Sequence, residues 1–424
     1  MERLKKLIFR FFFVYFFLTI APWTWPAVLP WFKFINEIHS KAMQLIVFRF
    51  NDWFLHIKDT LNTEGFGSGD TSYGWAEFYT IIILAFGTSI VWSFFEKKEK
   101  NSRILAYWLH NLVRYNLIFV AFSYGIIKLF ALQMPAPNLS QLATPLGDFL
   151  PMRFCWIFIG YSQPYEVFSG VMEVAIGLLL LYRRTIPLGL IVGLGVFINV
   201  FVLNLSYDIP VKLYSMQIVI CCLFLLAIDY KQYLNFFIFN KPTIPTSGYA
   251  FRFTKRWKRI GRVVLKSAFL LLVLGWNLYD CYNWYNEANS IEKPIIPQGI
   301  YHIKAFKKNH QLTAIDANDS LAWKDFIFDK QKLGSIKTCD TLLRKRYSRG
   351  YFVYEADPKK QTISFKKSFS DSIDLFVMNY KITGKKLELE GKLGNDTLYY
   401  ELEKSGKAFP LAKRHFHWIS EANR

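Results

Sequence analysis

The chain has 424 residues, 52% of them hydrophobic and 18% aromatic, with 52 Lys and Arg against 32 Asp and Glu. That composition is too apolar for a disordered chain and unusual for a soluble enzyme. The formal net charge of +20 resembles a nucleic-acid signal, but the cations sit beside long apolar runs, where cytoplasmic Lys and Arg accumulate in polytopic membrane proteins.

The first apolar stretch, 8–29, follows the basic start Met1-Glu2-Arg3-Leu4-Lys5-Lys6. It is longer than the core of a secretory signal, and Trp23, Trp25 and Trp31 cluster at its far end, so it predicts an uncleaved span with an aromatic belt. Further spans are predicted near 76–96, 106–132, 165–182, 185–204, 211–229 and 264–281. Most are close to the ~20 residues that cross the hydrocarbon core, and together they make a seven-span α-helical membrane protein.

The cations orient these spans. Arg3, Lys5, Lys6 and Arg10 open span one. Lys97, Lys98, Lys100 and Arg103 separate spans two and three, and Arg183 and Arg184 end span four. Arg252, Lys255, Arg256, Lys258, Arg259 and Arg262 precede span seven. All fall on one side if the N-terminus is cytoplasmic, while the opposite loops near 30–75, 133–164 and 205–210 carry fewer. The expectation is an inner-membrane protein with the C-terminal region exported to the periplasm. The basic loop 230–262, which includes Phe251, Phe253 and Trp257, suits anionic lipid headgroups, although topology alone accounts for its charge.

Gly65 to Thr71 resembles a phosphate cradle but follows no predicted strand. The plainer reading is a turn in which Asp70 or Thr71 caps span two. The spacing of Gly189 and Gly193 suits close helix packing. Of the five cysteines, Cys221 and Cys222 lie within span six, and Cys155, Cys281 and Cys339 fall on the exported side, where one disulfide is permitted. No Cys-x-x-Cys pair supports a redox or zinc motif.

Ionisable groups within spans are costly and mark sites or buried pairs. Span three holds His110, Arg114 and Lys128, and span four holds Glu166 and Glu173 on one face. Span five adds Asn199 and Asn204, and the next turn adds Tyr207, Asp208 and Lys212. Depth places Lys128, Glu166, Glu173, Asn199, Asn204, Tyr207 and Asp208 in the outer half, with His110 and Arg114 in the inner half. The Pro- and aromatic-rich segment 133–164 suits a lid over an outward-facing polar pocket among spans three to six. The alternative is structural: Lys128 snorkels to the interface and Glu173 pairs with a cation to hold the bundle.

From about Ile295 the chain turns polar. Residues 351–354, 362–365, 373–377 and 386–390 read as short strands punctuated by Asp-Pro, Thr-Gly and Gly-Asn turns. They predict an all-β barrel or sandwich of about 125 residues. His415 and His417 would share a strand face, but no further ligand pattern accompanies them and no metal site is assigned.

Span three carries Arg114 and then Tyr124-Gly125-Ile126-Ile127-Lys128-Leu129. Span four carries Gly170-Val171-Met172-Glu173, then Gly177-Leu178-Leu179-Leu180-Leu181 and Arg183-Arg184. Over about 110–229 this resembles the opening of a DoxX-type domain, a four-helix bundle that begins with an Arg and a Gly-x-x-Lys, followed by a Gly-x-x-Glu and a Gly-Leu-Leu run. The lid segment, Tyr207-Asp208-Ile209-Pro210 and the ending His417-Trp418-Ile419 with Asn423-Arg424 resemble long Bacteroidota-type members. The resemblance implies an inner-membrane protein of the DoxX/DoxD-like group. Some of its relatives are subunits of thiosulfate:quinone oxidoreduction, and others assist maturation of exported redox enzymes. Arg114, Lys128 and Glu173 take the places of the family's polar motif residues. Two spans before the unit, one after it and a β domain depart from small members and put simple thiosulfate oxidation in doubt.

The organisation expected is therefore 1–105 with two spans and an outer loop, 106–229 as the four-helix unit with lid 133–164, 230–294 as a basic loop and span seven, and 295–424 as an exported β domain. Two functions stay open. One is a redox-linked, quinone-interacting subunit or maturation factor. The other is a non-catalytic envelope module that presents the β domain to a protein or lipid partner. No heme, flavin or iron–sulfur motif is present, quinone is the cofactor that the first reading allows, and no nucleic-acid partner is expected. Whether the chain is an enzyme is left open.

Overall fold

The computed structural model describes every residue except 1, 29, 64–69, 96–101, 244–253, 290–293, 314–322, 339–341, 414–416 and 420–424. Cys339, His415, Arg252, Phe251, Phe253, the glycine loop 65–69 and the cations Lys97, Lys98 and Lys100 lie outside the described residues. The helices in chain order are α1 (Glu2–Ile20), α2 (Lys33–Phe50), α3 (Ser72–Phe95), α4 (Ser102–Leu129), α5 (Leu139–Leu142), α6 (Pro151–Tyr161), α7 (Gln163–Leu181), α8 (Ile186–Ser206), α9 (Lys212–Ile228), α10 (Tyr230–Phe237) and α11 (Arg256–Ala288). The chain forms two compact units, one of residues 1–133 and 164–283, the other of residues 134–163 and 284–424.

In the first unit, six helical segments among the described residues are long and apolar enough to cross a membrane: Arg3–Ala27, α3, Ile104–Leu129, α7, α8 and α11. The sixth expected span is a 17-residue helix, α9, bent by 79° from the short α10, and this pair makes a seventh only if read as one. The apolar run stops where Asp229, Lys231 and Gln232 interrupt it. The outer loop expected over 30–75 contains α2, which a hydropathy scan misses because Lys, Glu and His interleave its apolar residues. Burial is deepest along α4, where 56% of the apolar window is enclosed against 22% for the windows in α1, α3 and α8. Val113, Leu117, Ile118, Ala121 and Phe122 make α4 the axis of this core, with Ile176 of α7 and Cys222 of α9 beside them. Cys221 and Cys222 are packing residues, as their position in an apolar run suggests.

The second unit holds strands β1 (Gly299–Lys308), β2 (Gln311–Leu312), β3 (Asp325–Phe328), β4 (Leu333–Ile336), β5 (Arg344–Arg346), β6 (Arg349–Asp357), β7 (Thr362–Lys366), β8 (Phe376–Thr383), β9 (Lys386–Leu393) and β10 (Asp396–Lys404). The antiparallel order β10-β9-β8-β7-β6-β4-β3-β1 is closed by β1 pairing with β10, giving an eight-stranded barrel with β2 and β5 as short additions. Closure leaves no long edge among those eight strands. The period of two sends Ile363 and Phe365 of β7, and Leu398, Tyr400 and Leu402 of β10, inward. Trp323 stacks on Tyr400 at 5.1 Å and packs against Phe326 and Phe376 to fill the lumen. Gly384 (φ 62°) and Gly394 (φ 61°) open the two-residue turns β8–β9 and β9–β10. A positive φ at the first turn position matches the twist of the flanking strands and favours glycine.

The strands expected at 351–354, 362–365 and 386–390 lie within β6, β7 and β9. The one expected at 373–377 begins instead at Phe376, because Asp371 accepts from Ser368 N at 3.0 Å and closes a turn just before it. Segment 134–163, read from the sequence as a lid within the four-helix unit, groups with the barrel.

Candidate functional site

The site in the helical unit starts from its glycines. A Cβ on Gly125 of α4 would lie 2.8 Å from Val174 Cγ2, and one on Gly170 of α7 would lie 2.7 Å from Gly125 O. A Cβ on Gly177 would meet the Phe122 ring at 2.9 Å. Glycine therefore lets the two backbones touch. One turn further, Lys128 Nζ donates to Glu173 Oε1 at 2.5 Å, and both side chains are buried. Lys128 Nζ also lies 5.8 Å from the Tyr124 ring centre, within range of its π face. Glu173 Oε2 is buried without a hydrogen-bond partner among the described residues. An ion pair this enclosed recovers its desolvation cost only through close geometry, so losing either partner leaves a buried charge.

The other expected pocket residues separate by role. Glu166 is buried and accepts from Gln133 N at 3.0 Å, tying α7 to the chain leaving α4. Asn204 donates to Ser215 Oγ at 2.9 Å and joins α8 to α9. Asp208 is exposed, at positive φ, and pairs with Lys212 at 2.6 Å. Tyr207 is half-buried at the end of α8, and Asn199 faces outward from it. Arg114 lies about 21 Å along α4 from Lys128 at 1.5 Å per residue. Its Nη2 donates to Asn111 Oδ1 at 2.8 Å. The structure thus joins Lys128 to Glu173, while Asn199 and Arg114 stand apart from that pair.

A cavity of about 220 Å³ lies among α1, α2, α3 and α9, where His39, Glu77, Tyr214 and Gln217 share the wall with apolar residues such as Leu18, Phe78 and Ile81. The Tyr214 ring packs 6.0 Å from that of Tyr124, which in turn lies beside Lys128, so side-chain packing, though not the cavity itself, reaches the Lys128–Glu173 pair. His39 Nδ1 accepts from Trp23 Nε1 at 3.3 Å, and burial lowers its pKa below the ordinary 6.5, which favours the neutral ring. Asp70 accepts from Lys212 N at 2.8 Å and Leu213 N at 2.9 Å, capping α9 and setting the turn that carries Tyr214. Thr71 Oγ1 accepts from Gly74 N and caps α3, so the two residues proposed for one cap serve two helices.

Sequence reasoning missed Glu77 and His39. Glu77 interrupts Trp75-Ala76-Glu77-Phe78 at the start of an apolar run, the same signal that singled out Glu173. His39 belongs to α2, which hydropathy did not find.

The barrel unit has its own buried polar chain. Asp329 accepts from Leu139 N at 2.8 Å, Ser140 N at 3.1 Å and Ser140 Oγ at 2.5 Å. Ser335 Oγ donates to Ser140 Oγ at 2.7 Å, Arg349 Nε donates to Ser335 Oγ at 2.8 Å, and Arg349 pairs with Asp325 at 2.5 Å. Burial raises the Asp329 pKa, opposed by the hydroxyl and amide donors of Ser140 and Leu139 and by the Arg349 charge. Every partner is satisfied within the chain, which makes this a staple joining α5 to β3, β4 and β6. Cys155 and Cys281 are buried free thiols. Among the described residues no three His, Cys, Asp or Glu side chains are grouped to hold a metal.

No protein-family model matches the chain, and no solved structure matches it. Over 82 residues, 19% of the chain, it is 35% identical to the uncharacterized protein YwoB of Bacillus subtilis (strain 168). The matched stretch covers 53% of that relative, so the chain spans about half the length of the curated relative it matches.

Proposed function

We propose that the chain is a DoxX-like inner-membrane protein whose helical unit holds the polar head of a lipid-soluble molecule, a quinone in the first instance. In this reading the N-terminus is cytoplasmic and the barrel is exported. The observation that carries it is the cavity beside Glu77. Its volume of about 220 Å³ exceeds that of the roughly 150 Å³ apolar cavity that accepts benzene, so a single substituted ring fits. His39, Glu77, Tyr214 and Gln217 bring polar side chains to its wall, of the kind that hydrogen-bonds ring oxygens. Reducing a quinone to a quinol takes up protons at its oxygens, and Glu77 is placed to exchange them. The electrons come from a redox partner. The Gly-x-x-Lys and Gly-x-x-Glu motifs support the DoxX-like assignment, because their glycines permit the contact that their charged residues complete.

The test is mass spectrometry of small molecules copurifying in mild detergent, comparing wild type with Glu77→Gln and Glu173→Gln. A quinone near one per chain in wild type and depleted in Glu77→Gln supports the cavity. Wild-type protein that neither retains nor takes up added ubiquinone or menaquinone sinks the reading. The second reading, an envelope module, draws on Phe369 and Ile373, large apolar side chains exposed on the barrel between β7 and β8. It predicts that Phe369→Ser with Ile373→Ser abolishes function in cells while Glu77→Gln leaves it intact.

A further inference from the structure

The helical unit carries a second polar cluster, made of residues that do not line the cavity. Arg114 lies on α4, Arg183 in the turn between α7 and α8, and Arg262 and Lys266 one turn apart on α11. Tyr115 packs its ring 5.2 Å from Phe269, bringing α11 against α4. Lys266 Nζ donates to Leu181 O at 3.1 Å and lies 5.6 Å from the Tyr182 ring centre, bringing α11 against the end of α7. These contacts converge four cations from three places in the chain. Arg114, Arg183 and Arg262 all lie within electrostatic range of Lys266, and Arg183 within range of Arg114 and His110.

No described Asp or Glu forms an ion pair with any of the four. Like charges held together at partial burial repel, and the repulsion is relieved by an anion. Arg114 is the most enclosed, only 7% exposed, and its Nε–H is buried without an acceptor among the described residues. The guanidinium lies against the Tyr115 ring at 5.1 Å with Nη2 engaged by Asn111, so its orientation is set from two sides. Arg183 is exposed and Lys266 half-buried, leaving that side open to an incoming group. A fixed planar fork with ammonium and guanidinium groups around it matches tetrahedral oxyanions.

We propose that Arg114, Arg183 and Lys266 bind a phosphate group at this end of the helical unit, with Arg262 at its rim. The phosphate is that of an anionic lipid headgroup or of a soluble phosphate compound. Both present the same oxygens to the same donors. Lys266 also caps the carbonyl end of α7, a structural role that by itself requires no anion.

The test is native mass spectrometry of the full chain with phosphatidylglycerol or phosphatidylethanolamine, alongside calorimetric titration with inorganic phosphate. Wild type is compared with the double variant Arg183→Gln, Lys266→Gln. Both altered side chains reach the surface, and an unchanged melting temperature verifies folding. Wild type is expected to retain phosphatidylglycerol over phosphatidylethanolamine, and the double variant to lose at least about tenfold in affinity, the loss that a charge-assisted contact predicts. Phosphatidylglycerol retention displaced by phosphate assigns a lipid headgroup. Phosphate binding without lipid preference, lost in the double variant, assigns a soluble ligand. Equal binding of each probe by wild type and double variant, or no binding by either, overturns the proposal. Arg114→Lys, which keeps the charge and loses the fork, is expected to bind more weakly than wild type and more tightly than Arg114→Gln.

Discussion

At the scale of single residues the helical unit is governed by what its glycines allow. Gly170 faces Gly125 O so closely that an added methyl would sit 2.7 Å away, against backbone that cannot step aside. Gly170→Ala is expected to destabilise the protein by about 1–3 kcal/mol, measured as a lower detergent melting temperature. The pair beyond it makes a sharper prediction. Lys128→Met strands the Glu173 carboxylate in apolar surroundings, at a cost of about 3–5 kcal/mol. Adding Glu173→Leu removes the stranded charge, so the double variant is expected to be more stable than Lys128→Met alone. A double-mutant cycle on melting curves checks the sign, and additive losses would mean that the two groups do not interact.

At the scale of elements, caps reach across the chain. A four-residue helix such as α5 has too few internal bonds to hold itself. It persists because Asn138 and Gln141 form a capping box and Asp329 accepts both leading amides. Asp329→Ala is expected to cost about 2–4 kcal/mol. Folding raises the Asp329 pKa above its ordinary 3.8, so the native state binds more protons there than the unfolded state between those two values. Its contribution is therefore greatest below pH 3.8 and declines as pH rises through the raised value. Denaturant melts of wild type and Asp329→Asn from pH 4 upward should differ in slope in that sense, and parallel curves would remove Asp329 as the cause. In the helical unit, Asp70→Ala leaves the first amides of α9 unmet. The expected loss is about 1 kcal/mol, with weaker ligand retention because Tyr214 sits in that same first turn.

At the scale of the whole molecule, the division into units does not follow chain order. Residues 134–163 interrupt the helical part in sequence yet belong to the barrel unit through Asp329, Ser335 and the Arg153–Tyr347 hydrogen bond at 3.2 Å. Deleting 284–424 should leave this segment without its partners. Limited proteolysis is then expected to cut between 134 and 163 in the truncated chain and to spare that stretch in the full one. Cleavage at equal rates in both would show that the barrel does not hold it.

The sequence by itself determined where most of the long apolar helices run, that Lys128 and Glu173 are ionisable groups set in apolar runs, and that a β domain begins after about 295. These are local matters: a run of apolar residues, a charge within it, and a period of two between turns each declare themselves over a few residues. The strands β1 and β10 carry the same alternation and were legible in principle. Their pairing was not, because closure joins Tyr301 to Lys404 across a hundred residues that local patterns do not relate. Tertiary structure alone decided that Lys128 meets Glu173, that Glu77 and His39 line a cavity, that Asp329 caps a helix far away in sequence, and that four cations converge with no carboxylate paired to them among the described residues. Each depends on which helix or strand lies beside which, and that choice is made by the packing of whole faces.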